Sequence, residues 1–269
     1  GWDIALSAIG SDATKRYAPG AAKAGCLVID NSSLYRYDPD IPLIVPEVNA
    51  DAIEGYAKRM IIANPNCSTA QMVVALKPLH EKFGLRSIIA STYQAVSGSG
   101  AQGIVELEEQ MKALPNNQPV SLKVYPRQIA FNVIPQVDVF TDNGYTKEEL
   151  KMLHEGRKIM GLPELKVSCT CVRVPVFRSH SVSITAQFEE PVDVEAARAA
   201  YSGKPGVQVV DDPANKQFPV PLDTTGKDDC LVGRIRKNLV FNNALDLWVV
   251  GDQVRKGAAL NAVQIAEIL

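Results

Sequence analysis

The stretch at residues 60–83, MIIANPNCSTAQMVVALKPLHEKF, decides the fold, because it joins a short apolar run to a helical pattern through Asn, Pro and Asn. The run MIIA is bounded by turn-forming residues and is typical of a strand buried on both faces. After it, apolar residues recur at helical spacing at Ala70, Val73, Val74, Leu76 and Leu79. We therefore predict a strand followed by a helix whose first turn begins at or beside Cys67.

The residues before this stretch alternate in the same way. WDIALSAI, CLVIDNS and PLIVPEV have the composition of strands, whereas DATKRYAPGAAKAG and DAIEGYAKR have that of helices. This alternation predicts a parallel α/β sheet with crossover helices.

The pattern changes after residue 84. RSIIASTYQAV predicts a strand, GIVELEEQMKAL a helix, and Lys147–Met160 a second helix after a long loop-like stretch. The runs KVSCTCVRV, SVSITAQFEE, DCLVGRIRK and ALDLWVVGD alternate and predict a mainly antiparallel sheet with helices on one face. VRKGAALNAVQIAEIL predicts an amphipathic helix that returns to the first domain. We therefore expect an α/β protein with an incomplete Rossmann-type dinucleotide-binding domain (1–66 and 249–269) and an α+β catalytic and dimerisation domain (67–248).

Composition excludes several classes of partner. The chain has 269 residues, 46% of them hydrophobic, and 28 basic against 30 acidic residues give a net charge of −2. Because the charges are scattered, we expect no binding to nucleic acid or anionic lipid. No apolar run approaches the ~18 residues of a membrane span, and no signal-peptide pattern opens the chain, so we expect a soluble cytoplasmic protein. Five cysteines without a C-x-x-C pair, and three separated histidines, predict neither a disulfide scaffold nor a metal site.

Cys67 is the first candidate for chemistry. A thiol at a helix N-terminus lies near the positive end of the helix dipole, which favours the thiolate and lowers the ordinary pKa of ~8.5. The backbone amides there could also stabilise an oxyanion. The alternative is a buried, inert cysteine. Gly98-x-Gly100-x-x-Gly103 matches a dinucleotide-binding spacing, but no second βα unit with an acidic residue follows it, so a tight turn that needs small residues is the better explanation.

Other polar residues carry little information singly. Arg173 and His180 are seven residues apart, which places them on opposite faces of a straight strand. If the chain bends at Pro175, both side chains can point into one cleft. Otherwise both are surface or structural residues. Glu148 and Lys151 have the spacing of an exposed helical ion pair.

Taken together, the motifs resemble one family. ASTYQAVSGSG, NPNCST, CVRVPVFRSHS, DNSSLYR, PEVN, LVGRIRK and KGAALNAVQIAE are similar, in order, to motifs of aspartate-semialdehyde dehydrogenases. The resemblance implies an NADP-dependent oxidoreductase that converts L-aspartyl 4-phosphate to L-aspartate 4-semialdehyde, in the biosynthesis of lysine through diaminopimelate, methionine and threonine. It also implies a homodimer.

The resemblance also implies roles for individual residues. Cys67 corresponds to the nucleophile that forms an acyl-thioester, and His180 to its acid/base partner. Substrate binding falls to Arg173 at the α-carboxylate, Gln94 beside the reacting carbon, Arg36 and Lys151 at the phosphate, Glu148 beside that lysine, and Asn66 next to the nucleophile. The residues expected at the cofactor are Gly10, Ser97, Gly98 and Gln253.

The sequence departs from the family on the cofactor side. A segment of about 60 residues with a Gly-rich phosphate turn opens the family's sequences and has no counterpart here, so we expect an N-terminally truncated chain. Ile9 stands where the family has Gly, and Gln253 where it has Asn.

Two alternative functions remain open from the sequence. The first is a non-catalytic fragment or oligomerisation module of the same enzyme. The second is a reductase of N-acetyl-glutamyl phosphate, which shares the Cys and His chemistry.

Overall fold

The computed structural model describes residues 1–269 and contains two β-sheets. The smaller sheet has three parallel strands in the order β1-β2-β3. They are β1 (Ile4–Ser7), β2 (Leu27–Asp30) and β3 (Ile61–Ala63). Every residue of β2 and β3 is buried, which is why both appear in the sequence as continuous apolar runs. The predicted parallel α/β arrangement is confirmed.

Two of the predicted elements of this region are wrong. Helix α1 (Ser11–Lys23) forms as expected, but PLIVPEV makes only an isolated bridge from Leu43 to Ala63. A short helix, α2 (Pro46–Asn49), begins instead, because proline is pre-organised for the first helical position. DAIEGYAKR, except for its last residue Arg59, lies within a 3₁₀-helix, Ala50–Lys58, rather than an α-helix.

The larger sheet has six strands in the order β5-β4-β6-β9-β8-β7. They are β4 (Leu85–Gln94), β5 (Lys166–Arg173), β6 (His180–Phe188), β7 (Val207–Val209), β8 (Cys230–Lys237) and β9 (Ala244–Gly251). β4 pairs with β6, β6 with β9 and β9 with β8 in antiparallel register, so the predicted mainly antiparallel sheet is confirmed. β5 lies parallel to β4, and the short β7 parallel to β8 was not predicted.

Six further α-helices lie between the strands or after them. They are α3 (Cys67–Phe83), α4 (Ala101–Ala113), α5 (Lys147–Met160), α6 (Val194–Ala200), α7 (Pro221–Thr224) and α8 (Leu260–Glu267). Helices α3, α5 and α6 pack on the larger sheet. A single cluster of 39 buried apolar residues contains members of α3 and of both sheets, so one core connects the two layers. Burial on nearly all sides of α3 makes it a fixed support for its first residue, Cys67.

The end of the chain returns to the smaller sheet, as predicted. A π-helical turn, Arg255–Ala259, leads into α8. Ala262 and Ile265 of α8 pack against Ile29 and Ile62 of the smaller sheet. Among all the helices, none combines the length and the apolar character that crossing a membrane would require.

Candidate active site

A polar cleft of about 600 Å³ lies where the carboxyl ends of β1, β2 and β3 meet the ends of β4 and β5. In open α/β sheets, ligands bind outside the carboxyl ends of the strands. All the predicted site residues except His180 line it: Gly10, Arg36, Asn66, Cys67, Gln94, Ser97, Gly98, Glu148, Lys151, Arg173 and Gln253. The fold therefore brings together residues that are far apart in the sequence.

Cys67 begins α3, and Asn66 is its N-cap. Asn66 Oδ1 accepts hydrogen bonds from the backbone N–H groups of Ser68 (3.0 Å) and Thr69 (3.1 Å). Asn66 Nδ2 donates to Glu148 Oε1 (2.9 Å), which leaves one amide N–H for a ligand. The helix start predicted beside Cys67 is confirmed, and its cap explains why Asn precedes the cysteine.

The lowered pKa expected for Cys67 is not what this environment produces. Burial, assisted by the carboxylate of Glu148, raises the pKa of the Cys67 thiol to about 11. Arg173 and Arg36 act in the opposite direction but do not outweigh burial. Helix position alone therefore predicted the wrong sign, because the sequence does not show how much protein surrounds the partly exposed Cys67 at the edge of the cleft.

Gln94, Arg173 and His180 meet at one end of the larger sheet. β4 lies between β5 and β6, and Gln94 pairs with Arg173 at the end of β4. The chain turns between β5 and β6, the two strands that flank β4. It enters β6 at His180 through Ser179, whose φ of 73° lies in the left-handed region. The bend at Pro175 on which the sequence argument depended is therefore present.

His180 is held as a neutral imidazole with a defined tautomer. The N–H of Ala95 donates to its Nδ1 (3.0 Å), so the ring proton of neutral His180 lies on Nε2. Nε2 is buried and has no partner within the protein. Burial, with the positive charge of Arg173, places the pKa of His180 well below 6.5. The orphan Nε2–H is consequently available to a ligand oxygen.

Gly98 provides the space between these side chains. A Cβ added at Gly98 would lie 2.8 Å from Arg173 Nη1 and 3.1 Å from His180 Nε2. Arg173 Nη1 also donates to the carbonyl of Ala95 (2.7 Å). Any larger residue at position 98 would therefore displace both functional groups. The close approach of two site residues explains the SGSG turn better than a dinucleotide fingerprint does.

Glu148 organises the opposite side of the cleft. Its carboxylate accepts hydrogen bonds from Gln94 Nε2 (3.0 Å) and Lys151 Nζ (3.0 Å), and Lys151 also contacts Asp138 (2.8 Å). Although burial opposes the shift, Lys151 and the hydrogen bonds from Asn66 and Gln94 lower the pKa of Glu148. Burial likewise opposes a raised pKa for Lys151, but Glu148 and Asp138 outweigh it. The ion pair is thus part of the cleft and not an exposed helical pair.

Arg36 is the second cation at this side. Its Nε donates to the carbonyl of Asn64 (2.9 Å), Nη2 to the carbonyl of Asn31 (2.9 Å), and Nη1 to Glu155 Oε1 (3.1 Å). Sequence reasoning missed Glu155. It lies seven residues, or two turns, after Glu148 on α5, and this spacing was the signal that could have placed it on the same face.

The remaining predicted residues lie on the cofactor side. Gln253 Oε1 accepts from the N–H of Ser179 (2.8 Å), and Gln253 Nε2 donates to Ser97 Oγ. Gly10 precedes the N-terminus of α1 with φ 78° and lines the same cleft. The helix N-terminus beside Gly10 fits an anionic group such as a cofactor phosphate, and the unpartnered Nε2 of His180 fits a polar group such as a nicotinamide amide.

Comparison with known proteins defines the class. The chain matches the family models "Semialdehyde dehydrogenase, NAD binding domain" over residues 1–56 and "Semialdehyde dehydrogenase, dimerisation domain" over residues 76–256. It is therefore an oxidoreductase with a nucleotide-binding domain and a dimerisation domain.

Individual relatives define the family. The chain is 53% identical to aspartate-semialdehyde dehydrogenase of Aquifex aeolicus over all of this chain and 79% of that protein. It superimposes with a TM-score of 0.97, at 49% identity, on aspartate semialdehyde dehydrogenase II from Vibrio cholerae complexed with ASA, covering 99% of this chain and 79% of that one. The enzyme from Candida albicans with NADP gives 0.77 at 27% identity, covering 99% and 77%. The chain belongs to the aspartate-semialdehyde dehydrogenase family, as its motifs predicted.

Proposed function

We propose that this protein catalyses the NADP-dependent reductive dephosphorylation of L-aspartyl 4-phosphate to L-aspartate 4-semialdehyde through a thioester on Cys67. The observation that carries the proposal is the cleft itself, where one thiol at a capped helix start faces three cations, Arg36, Lys151 and Arg173. The substrate has two anionic ends, an α-carboxylate and a phosphate, which need separate cations. The family membership supports the same reaction.

Binding places the acyl carbon against the sulfur. Arg173 suits the α-carboxylate, because its guanidinium is fixed by the carbonyl of Ala95 and can present two parallel N–H donors. Arg36 and Lys151 suit the phosphate on the other side of Cys67. Gln94, held by Glu148, lies between the two groups and orients the reacting carbon.

The first chemical step forms the thioester. The thiolate of Cys67 attacks the acyl carbon, the Sγ–C bond forms, the C–O bond to phosphate breaks, and inorganic phosphate departs between Arg36 and Lys151. The Asn66 amide N–H that is not bonded to Glu148 can donate to the developing oxyanion. Each cycle ends when the sulfur of Cys67 leaves as a thiolate. The thiol therefore need not be deprotonated again at every turnover, although its pKa is raised.

The second step reduces the thioester. When bound, the nicotinamide supplies the hydride. His180 Nε2–H donates a hydrogen bond to the oxyanion that forms when the thioester carbonyl is reduced, and this oxyanion re-forms the carbonyl as the C–S bond breaks and the sulfur leaves as thiolate. A neutral histidine with the proton on Nε2 suits this role.

NADP is the proposed cofactor. It would be held by Gly10, Ser97, Gly98 and Gln253. The Candida albicans relative with NADP supports this choice over NAD.

We also propose the division into a cofactor domain (1–66 and 249–269) and a catalytic domain (67–248). The five cysteines are all unpaired, as is usual in the reducing cytoplasm, where we place the enzyme.

The homodimer is proposed to form through the face of the larger sheet opposite α3. Ile89 is 49% and Tyr93 40% exposed on this face. The ring of Tyr93 lies 5.3 Å from that of Trp248 across the sheet. An aromatic and aliphatic surface of this kind is typical of an interface core, and the match to a dimerisation domain supports it.

The test is phosphate-dependent reduction of NADP⁺ with aspartate semialdehyde. We expect turnover by the unaltered protein and a loss of at least about 1,000-fold in Cys67→Ser, because the alcohol is a far weaker nucleophile. Cys169→Ser, a buried cysteine on β5, is the matched control and should retain turnover. Substantial activity in Cys67→Ser would exclude the thioester. A preference for N-acetyl-glutamate semialdehyde would favour the alternative reductase, and inactivity with both aldehydes would favour the non-catalytic module.

A further inference from the structure

We propose that Glu155 is a positioning residue that couples the phosphate-binding Arg36 to the segment that carries the nucleophile. Glu155 is completely buried on α5. Its Oε1 accepts from Arg36 Nη1 (3.1 Å), and its Oε2 accepts from the backbone N–H of Asn66 (2.6 Å). The inference rests on the proposed function, since it deepens the role of Arg36.

Glu155 sets the direction of the Arg36 guanidinium. This group has five N–H donors, and three are occupied, by Glu155 and by the carbonyls of Asn64 and Asn31. The two that remain lie one on each terminal nitrogen, and two such donors can bind two oxygens of a phosphate. Without the contact to Nη1, two hydrogen bonds instead of three would hold the plane of the guanidinium.

Glu155 also fixes the residue before the nucleophile. The bond to the N–H of Asn66 anchors the backbone, while the side chain of Asn66 caps α3 and donates to Glu148. Glu148 in turn holds Lys151. A continuous path of hydrogen bonds therefore runs from Arg36 through Glu155, Asn66 and Glu148 to Lys151, and keeps both phosphate cations in register with Cys67.

Two acceptor oxygens are required for this arrangement. A glutamine at position 155 has the same shape but one acceptor oxygen, so either Arg36 Nη1 or the N–H of Asn66 would face an amide group. A buried donor without a partner distorts its surroundings. The aspartate side chain keeps the charge and both oxygens, but it is one methylene shorter.

The experiment compares Glu155→Gln, Glu155→Asp and Glu149→Gln. Glu149 is the matched control, because it is a buried glutamate on the same helix that accepts backbone bonds from Thr146 (2.7 Å) and Cys171 (2.9 Å) away from the cleft. Two quantities are measured on folded protein: the KM for inorganic phosphate in NADP⁺ reduction, and the protection of Cys67 from iodoacetamide by inorganic phosphate, which requires no turnover.

We expect Glu155→Gln to raise the KM for phosphate 10- to 100-fold and to weaken phosphate protection of Cys67 by a similar factor, with the KM for aspartate semialdehyde changed less than about threefold. Glu155→Asp should recover part of this loss. Glu149→Gln should change neither phosphate measurement. Equal phosphate constants in Glu155→Gln and Glu149→Gln would overturn the proposal, as would loss of the fold in both Glu155 variants.

Failure of the proposed function would look different. In that case the unaltered protein would not reduce NADP⁺ with phosphate, whereas phosphate would still protect Cys67 if Arg36 and Glu155 form the anion site. Absence of protection in the unaltered protein would remove the anion site itself and overturn the inference about Glu155.

Discussion

The thiol of Cys67 experiences opposing charges from a small number of neighbours. Glu148 raises its pKa, whereas Arg173 and Arg36 lower it, and burial decides the balance. Substrate changes this balance, because its two anionic groups neutralise the arginines. The charge of Glu148 therefore lowers the fraction of Cys67 that is thiolate in the free enzyme. Glu148 must contribute to function by holding Asn66, Gln94 and Lys151.

Substitution of Glu148 should separate the reactivity of the Cys67 thiol from turnover. Glu148→Gln removes the negative charge that raises the pKa of Cys67, so the thiolate fraction at pH 8 should increase. A fall of half a pKa unit corresponds to about threefold faster alkylation by iodoacetamide. Turnover should nevertheless decrease, because Lys151 loses its ionic partner in the cleft. The rate of Cys67 alkylation is measured by quenching the reaction at set times and analysing the protein by mass spectrometry. Turnover is measured by NADP⁺ reduction.

Glu149→Gln is the appropriate comparison for this prediction too, since Glu149 does not face the thiol and its bonds run to Thr146 and Cys171. Slower alkylation in Glu148→Gln than in Glu149→Gln would show that Glu148 stabilises the thiolate and would reverse the electrostatic argument.

At the scale of elements, the nucleophile is positioned by two helical segments, and the first turn of one packs against the side of the other. Cys67 starts α3, and the π-helical turn Arg255–Ala259 passes directly over it. This turn is anchored by Lys256, a buried ammonium that donates to Glu47 and to Asn261 Oδ1 (2.8 Å). The turn can approach Cys67 only because residue 257 is glycine.

We therefore expect Gly257→Ala to reduce turnover at least about tenfold. The added Cβ would lie 2.8 Å from Cys67 Cβ and 3.1 Å from its Cα, so either α3 or the π-helical turn must move. Overpacking of this kind costs about 1–3 kcal/mol. Turnover and thermal denaturation are both measured. Gly20→Ala in α1, where an added Cβ meets nothing within 4 Å, is the control and should not reduce stability. Normal turnover in Gly257→Ala would show that this contact is not required.

Elements were predictable from the sequence where one physical signal dominated. The periodicity of α3 and the alternation of β6 and β9 were sufficient, because burial on one or both faces leaves a regular pattern. The strand prediction for PLIVPEV was wrong, because an apolar run predicts burial but does not determine which hydrogen bonds the backbone makes.

Glu155 could not be assigned a role, since only the fold shows that it lies between Arg36 and Asn66. The motifs identified most of the cleft through resemblance to the family, whereas the pKa of Cys67 depended on its three-dimensional enclosure.

At the scale of the whole molecule, the two faces of the larger sheet have different environments. One face carries α3, α5 and α6 and contributes to the core. The other presents Ile89 and Tyr93 to solvent, although both are apolar or aromatic and lie on a central strand. The arrangement has a functional consequence, because β4 ends at Gln94. An interface on this face would contact the strand that carries a substrate-binding residue.

The dimer interface can be tested with a charge on this face. Ile89→Glu alters a residue already 49% exposed in the protomer, so the protomer should fold normally. In a two-fold dimer the change enters the interface twice, and a buried, unpaired charge costs about 3–5 kcal/mol. We therefore expect dissociation at micromolar protein in light scattering, with lower turnover. Val263→Glu alters a residue that is 41% exposed on α8, the helix that packs on the smaller sheet, and should leave the dimer intact. A stable Ile89→Glu dimer would place the interface elsewhere.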